Sequence, residues 1–390
     1  MVTVLGIGAD GWDGLSPRAR EAVREAEVLI GSARQLALLP ASDATKVTWP
    51  SPMLPAIPAL LDDHAGRRVC VLASGDPMFF GVGSTLVRLL GADGVRVIPH
   101  PSSVSLACAR LGWPVQEVEV VSLVGRPVEL LHPAVQPNRR VLVLSADGET
   151  PAKVAELLRA RGFGPSKVTV LEELGGPGEK AAASGEAIGP LNVVAVECLA
   201  GADAVVLGRS PGLPDDAFEH DGQLTKREVR AVTLAALGPL PGELLWDVGA
   251  GAGSIGIEWM RTHPSCRAIA VEARQERAER ITRNAHSLGV PGLSVVIGRA
   301  PEALDGLPRP DAIFIGGGVR EVVTACWEAL PAGGRLVANA VTLESEAVLT
   351  GWHAEVGGSL TRIEISRAAP LGNVTGWRPM LPVTQWTVAK

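Results

Sequence analysis

The chain has 390 residues, enough for two or three domains, and 46% of them are hydrophobic against 20% charged, which excludes long disordered tails. A net charge of −6 and a pI of about 5.7 argue against a nucleic-acid partner, which needs a basic face. No apolar run reaches about 18 residues and the start carries no basic segment before an apolar one, so neither a membrane span nor a signal peptide is expected. Residues 3–7 form a short apolar run, read as a buried strand, that ends in Gly6-Ile7-Gly8-Ala9-Asp10-Gly11. Ser16 and Pro17 then open a helix as N-cap and first helical residue. Residues 28–31 give a second strand, and the Pro-rich stretch 50–58 is expected to be an irregular connection.

A third strand, residues 68–73, runs straight into Ser74-Gly75-Asp76-Pro77. A fourth, residues 95–99, leads to His100-Pro101-Ser102-Ser103 and a helix over 104–111. Strands alternating with helices predict a parallel sheet. Further strands are expected at 118–123, 140–145, 167–175 and 192–198, with a helix over 151–161. The Gly/Pro/Asp-rich residues 207–216 have the composition of a linker, which places a domain boundary near residue 210.

The second half opens on Thr225-Lys226-Arg227-Glu228, a capping-box pattern. An apolar strand, residues 243–246, then enters Asp247-Val248-Gly249-Ala250-Gly251-Ala252-Gly253-Ser254, and a helix follows. Glycine at every second position suits a tight strand-to-helix turn whose backbone presses against a ligand. The next strand ends in Glu272, an acid placed to bond ribose hydroxyls. Residues 251–256 also fit G-x-G-x-x-G, so a dinucleotide stays open beside S-adenosylmethionine (SAM). A helix over 275–288 and a strand over 293–297 precede Gly298-Arg299-Ala300-Pro301-Glu302. Strands at 311–315 (before Gly316-Gly317-Gly318), 334–342, about 359–366 and 383–389 complete a seven-stranded order.

The pattern Asp-x-Gly-x-Gly-x-Gly followed by Glu272 resembles motif I of the class I SAM methyltransferases. In that family the first acid, here Asp247, lies near the methionine moiety. Gly6-Ile7-Gly8, Gly75-Asp76-Pro77 and Pro101-Ser102-Ser103, each at a strand's C-terminal end, together resemble the tetrapyrrole methylases of corrin biosynthesis, the class III SAM methyltransferases. That resemblance implies two α/β subdomains, 1–115 and 116–210, with Gly75, Asp76, Phe80, Ser102 and Ser103 around SAM. Asp76 could instead be a turn former and Phe80 a core aromatic. The chain departs from the family after Gly8, where many members carry proline and glycine and this sequence has Ala9-Asp10-Gly11.

Thr225 to Arg230, Gly298-x-Ala300-Pro301-Glu302 and the triple glycine are similar to the decarboxylating precorrin methyltransferases. The resemblance assigns Thr225, Gly249, Ala250, Gly251, Ala252, Gly253, Glu272 and Ala300 to SAM contact, on a Rossmann-like class I domain over 211–390. Both halves in one chain imply a bifunctional enzyme of cobalamin biosynthesis. It would methylate a precorrin at carbons 5 and 15, remove CO₂ from the carbon-12 acetate and give precorrin-8. The family's habit implies a homo-oligomer. The polycarboxylate macrocycle makes Arg126, Arg299, Arg320 and Arg335 candidates for its binding, with Asn339, Thr342, Glu344 and His100 as further contacts. The cysteines (Cys70, Cys108, Cys198, Cys266, Cys326) are scattered and form no metal motif, as for buried thiols of a cytoplasmic protein. No nucleophile, triad or metal cluster stands out, so no catalytic residue is assigned. A methyltransferase of another substrate, a non-catalytic corrinoid carrier and a nicotinamide enzyme are the alternatives.

Overall fold

The computed structural model describes residues 1–183 and 187–390. Two compact units emerge: Met1–Val128 with Pro137–Val205, and Glu129–Gln136 with Val206–Lys390.

The first unit holds two five-stranded sheets. Strands β1 (Val2–Ile7), β2 (Val28–Gly31), β3 (Thr45–Thr48), β4 (Val69–Ser74) and β5 (Val95–Ile98) lie in the order β3-β2-β4-β1-β5, all parallel. Alternate residues feed the two faces. Leu5, Ile7, Leu29 and Leu72 pack on one side and Val4, Val28, Ile30 and Val71 on the other. Because both faces are covered, the inner strands read as unbroken apolar runs. The second sheet takes β6 (Val118–Ser122), β7 (Arg140–Leu144), β8 (Lys167–Glu172), β9 (Lys180–Ala183) and β10 (Asn192–Glu197) in the order β6-β7-β10-β8-β9. Only β6 and β7 are parallel there.

The second unit is a seven-stranded sheet ordered β13-β12-β11-β14-β15-β19-β16. Its members are β11 (Leu244–Val248), β12 (Arg267–Glu272), β13 (Ser294–Ile297), β14 (Ala312–Ile315), β15 (Arg335–Ala340), β16 (Ser359–Ile363) and β19 (Val383–Ala389). Strand β19 alone runs antiparallel to its neighbours β15 and β16. Between β16 and β19 the chain makes a separate hairpin, β17 (Ser366–Leu371) and β18 (Val374–Pro379). The expected α/β architecture is the one found.

Three local expectations need correction, and one strand was not foreseen. Thr45–Thr48, too short and too exposed to announce itself, is an edge strand. Met53–Asp62 is a helix despite Pro58 inside it; Ile57 is fully buried and supplies the apolar anchor. The strand expected over 359–366 stops at Ile363, and the hairpin begins at Ser366. The capping box at Thr225 does not form, because Lys226 is the N-cap of the helix Arg227–Leu237. The Asp215 carboxylate accepts the Arg227 amide instead (2.9 Å), while Arg367 takes the Glu228 carboxylate.

All five cysteines are buried, and burial pushes the Cys70 and Cys326 thiols up to about 12. Among the described residues, no helix is long and apolar enough to cross a membrane.

Candidate functional site

Each unit carries a cleft at the C-terminal ends of its strands, where open α/β sheets bind ligands. The cleft of the first unit has a volume of about 510 Å³ and is lined from both of its sheets. Gly75, Asp76, Phe80, Ser102 and Ser103 all line it. Gly75 follows β4 with φ of +60°, a conformation glycine adopts without strain. Its amide donates to the Ile7 carbonyl (3.0 Å), which ties the Gly-Asp-Pro loop to the end of β1. A Cβ at Gly6 would lie 2.1 Å from the Gly75 carbonyl oxygen, so Gly6 is what lets the two loops meet. Ser102 caps the helix Ser103–Leu111, accepting the Ser105 amide through its hydroxyl (3.1 Å).

Asp76 forms the turn and also lines the cleft. One carboxylate oxygen accepts the Met78 amide (2.8 Å), closing the turn, and the residue still faces the cleft. Phe80 is no core aromatic. It is 48% exposed, sits at φ +53° and stacks under the Arg126 guanidinium at 5.5 Å. His100 is packed against the Gly8 loop, its Nε2 3.3 Å from Asp10 Oδ1, and it does not line the cleft.

The cleft of the second unit is larger, about 730 Å³. Thr225, Gly249, Ala250, Gly251, Glu272 and Ala300 line it. Glycine matters here at two points. Gly251 has φ of +60°, and a Cβ on it would meet only the Gln223 carbonyl oxygen, at 3.5 Å. A Cβ on Gly317 would meet nothing within 4 Å. Glu272 accepts the Gly251 amide through Oε2 (2.9 Å) and the Arg274 amide through Oε1 (3.0 Å). The acid at the end of β12 therefore shapes the glycine loop while each oxygen keeps a lone pair.

Three predicted contacts lie outside the lining. Gly253 is the left-handed N-cap of the helix Ser254–Thr262, and a Cβ on it would lie 2.7 Å from Ile281 Cγ2. Ala252 is buried and its carbonyl accepts from Asn284 (3.0 Å). Asp247 is fully buried behind the loop. Its Oδ2 accepts the Gly256 amide (2.9 Å), and among the described residues its Oδ1 has no hydrogen-bond partner. Burial, with the Glu272 charge adding to it, raises the Asp247 carboxyl to about 7.

The other candidates divide. Arg299 and Asn339 line the second cleft. Asn339 is oriented from behind: its amide nitrogen donates to Thr233 (3.0 Å) and its oxygen accepts from Gln385 (2.9 Å). Arg335 stands at the opposite end of β15, where it donates to the Leu237 carbonyl (2.7 Å) and pairs with Glu243. Thr342 caps the helix Leu343–Val356 through the Ser345 amide, and Arg320 and Glu344 are exposed away from the lining.

Sequence reasoning missed Gln223, Arg277, Glu321, Met380 and Leu381, all in the lining. Arg277 binds Asp221 (2.8 Å), whose carboxyl is held down at about 2 chiefly by that bond; the pair pins the 221–225 loop at the cleft. Arg230, fully buried, does the same from below. It donates to the Thr225 carbonyl (2.5 Å), to the Leu213 carbonyl and to Glu258 (2.5 Å). Only the Thr-Lys-Arg-Glu-Val-Arg string signalled it.

Residues 1–186 match the family described as Tetrapyrrole (Corrin/Porphyrin) Methylases, and residues 216–390 the Precorrin methyltransferase domain. A Sinorhizobium protein, "Precorrin-6Y C(5,15)-methyltransferase [decarboxylating]", is 52% identical over 100% of this chain and 96% of its own. "Cobalt-precorrin-7 C(5)-methyltransferase" of Salmonella typhimurium is 36% identical over 45% of this chain and 85% of its own. "Probable cobalt-precorrin-6B C(15)-methyltransferase (decarboxylating)" of Saccharolobus solfataricus is 37% identical over 35% of this chain and 72% of its own.

Proposed function

The chain belongs to the family of the decarboxylating precorrin-6Y C(5,15)-methyltransferases, and from that premise we propose that each of its two clefts is a separate SAM site. The domain over 1–210 methylates carbon 5 of the precorrin macrocycle. The domain over 211–390 methylates carbon 15 and releases the carboxylate of the carbon-12 acetate as CO₂, leaving, after protonation, a methyl group on carbon 12. The observation that carries this reading is the pair of glycine-lined clefts, one in each unit, each at the C-terminal ends of parallel strands.

SAM, when bound, supplies an electrophilic methyl group on sulfur. The protein's part is then to bind, align and dry the reactants. In the second cleft, Gly251 and Gly317 leave the backbone bare where a Cβ would fill the cavity. Glu272 keeps a lone pair on each oxygen for ribose hydroxyls, and its bond to the Gly251 amide sets the loop at the right height. Thr225 reaches the same cleft because Arg230 holds its carbonyl. A volume of about 730 Å³ lies in the range that takes a cofactor-sized ligand. In the first cleft, Gly75, Asp76, Ser102 and Ser103 form the cofactor wall and Phe80 an apolar flank. The electrons left by loss of CO₂ pass into the conjugated macrocycle, which does the work usually given to an electron-sink cofactor.

The test is incubation of the chain with SAM and the metal-free or cobalt-bearing macrocycle, followed by mass spectrometry. Two added methyls and one CO₂ per macrocycle support the reading; no methyl transfer to either macrocycle defeats it.

A further inference from the structure

The first cleft contains a guanidinium that no family motif above includes. Arg34 lines it from the helix Ala33–Ala37, directly after β2. Among the described residues its one side-chain hydrogen bond runs from Nη2 to the Ser74 hydroxyl (3.2 Å), at the threshold of the Gly-Asp-Pro loop. Ser74 is itself fixed, because Gln35 donates to the same hydroxyl oxygen (3.1 Å). Gln35 is in turn locked by a capping box with Ser32: Oε1 accepts the Ser32 amide (2.8 Å), and the Gln35 amide donates to the Ser32 hydroxyl (3.3 Å). The anchor is thus built from the helix start inward, and Arg34 projects from it with most of its donors unused.

Arg34 also makes no ion pair among the described residues. Among the described residues, no carboxylate lies within 4 Å of it, whereas Arg110, Arg230, Arg283 and Arg367 all have one. Arg34 is exposed at the mouth of the cleft, and the walls that cover part of it move it below the ordinary arginine value, with Glu173 opposing that shift from a distance. The other charged residue of the cleft lining is Asp76, which already accepts the Met78 amide. A partly dehydrated guanidinium with a free fork is a receptor for a planar anion.

We infer that Arg34 binds a side-chain carboxylate of the macrocycle and so decides which edge of the ring faces the methyl donor in the first cleft. This rests on the proposed function, which supplies the polycarboxylate substrate. SAM carries a carboxylate too, so the two sources must be separated by experiment.

The full-length chain with Arg34→Gln is assayed beside the wild type, with carbon-5 and carbon-15 methylation read separately by mass spectrometry and KM taken for each substrate. Losing one charge-assisted fork should raise the macrocycle KM of carbon-5 methylation about tenfold or more. KM for SAM in that step should stay within about twofold, as should carbon-15 methylation and CO₂ release, well below the tenfold step of one fork. An unchanged macrocycle KM overturns the inference. So does a rise confined to the SAM KM, which would give Arg34 to the cofactor, and so does a rise in both, which would mark a structural role. Failure of the wild-type chain to methylate either carbon would instead refute the proposed function itself.

Discussion

Replacing Arg230 by methionine tests how the second cleft is held in place. The Arg230 side chain is fully buried and that of Glu258 is 2% exposed. Removing the guanidinium strands a buried carboxylate, a change that costs about 3–5 kcal/mol where nothing else compensates. Glu258 keeps the Gly212 amide (2.6 Å) and the Leu213 amide (3.0 Å), which lowers that cost. Against this, the Thr225 and Leu213 carbonyls each lose a donor, at about 1 kcal/mol apiece. The net expectation is a loss of about 4 kcal/mol, confined to the second unit. Denaturant unfolding of the full chain should show it in hydrogen–deuterium exchange of second-unit peptides such as the one holding Trp259, fully buried and adjacent to Glu258. The two units need not unfold together, so only the transition reported by the second unit is compared. The double variant Arg230→Met with Glu258→Leu removes the stranded charge and should recover much of the loss. The SAM KM of carbon-15 methylation should rise in the single variant, because the Thr225 carbonyl is released, while carbon-5 kinetics stay put. A loss below about 1 kcal/mol, or a double variant as costly as the sum of the singles, would refute the reasoning.

Asp247 has a folded-state value of about 7 against an ordinary 3.8, so its ionisation opposes folding. The penalty is absent below about pH 3.8, grows up to pH 7 and is complete above it, at roughly 4 kcal/mol. Asp247→Asn should therefore gain stability over the wild type between pH 5 and 8, measured by thermal melts at each pH; a constant difference would contradict this. Gly253→Ala puts a Cβ at φ +76° and 2.7 Å from Ile281 Cγ2. The left-handed conformation and the overlap together should cost about 2–4 kcal/mol in the same unfolding assay, and a neutral result would show that Ile281 moves aside.

Much of the architecture was legible because its strands are buried on both faces. Residues 69–73, 244–246 and 312–315 are unbroken apolar runs, and each is followed within three residues by a glycine turn that the sequence displays openly. Elements held by context were not legible. Thr45–Thr48 is polar and exposed, and Met53–Asp62 is helical against its prolines. The hairpin Ser366–Leu371 with Val374–Pro379 follows no burial pattern. The clefts divide in the same way. Gly251 and Glu272 could be placed from spacing, and Gly75 and Ser102 through the family resemblance of their motifs. Arg34, Arg277, Met380 and Leu381 could not, because each reaches its cleft from a segment whose own sequence carries no motif. The resemblances pointed to Asp247, Ala252 and Gly253 as contacts, and in the structure all three support the loop from behind. A motif identifies a loop, and it does not say which of its residues face outward.

The central claim is that one chain houses two independent methyl-transfer sites. Gly251→Arg tests it most directly, since the new side chain would enter the second cleft alone. With SAM and the macrocycle supplied, the variant should yield product carrying a single added methyl, at carbon 5, with the carbon-12 acetate retained. Product carrying two added methyls, or release of CO₂ at the wild-type rate, would contradict it.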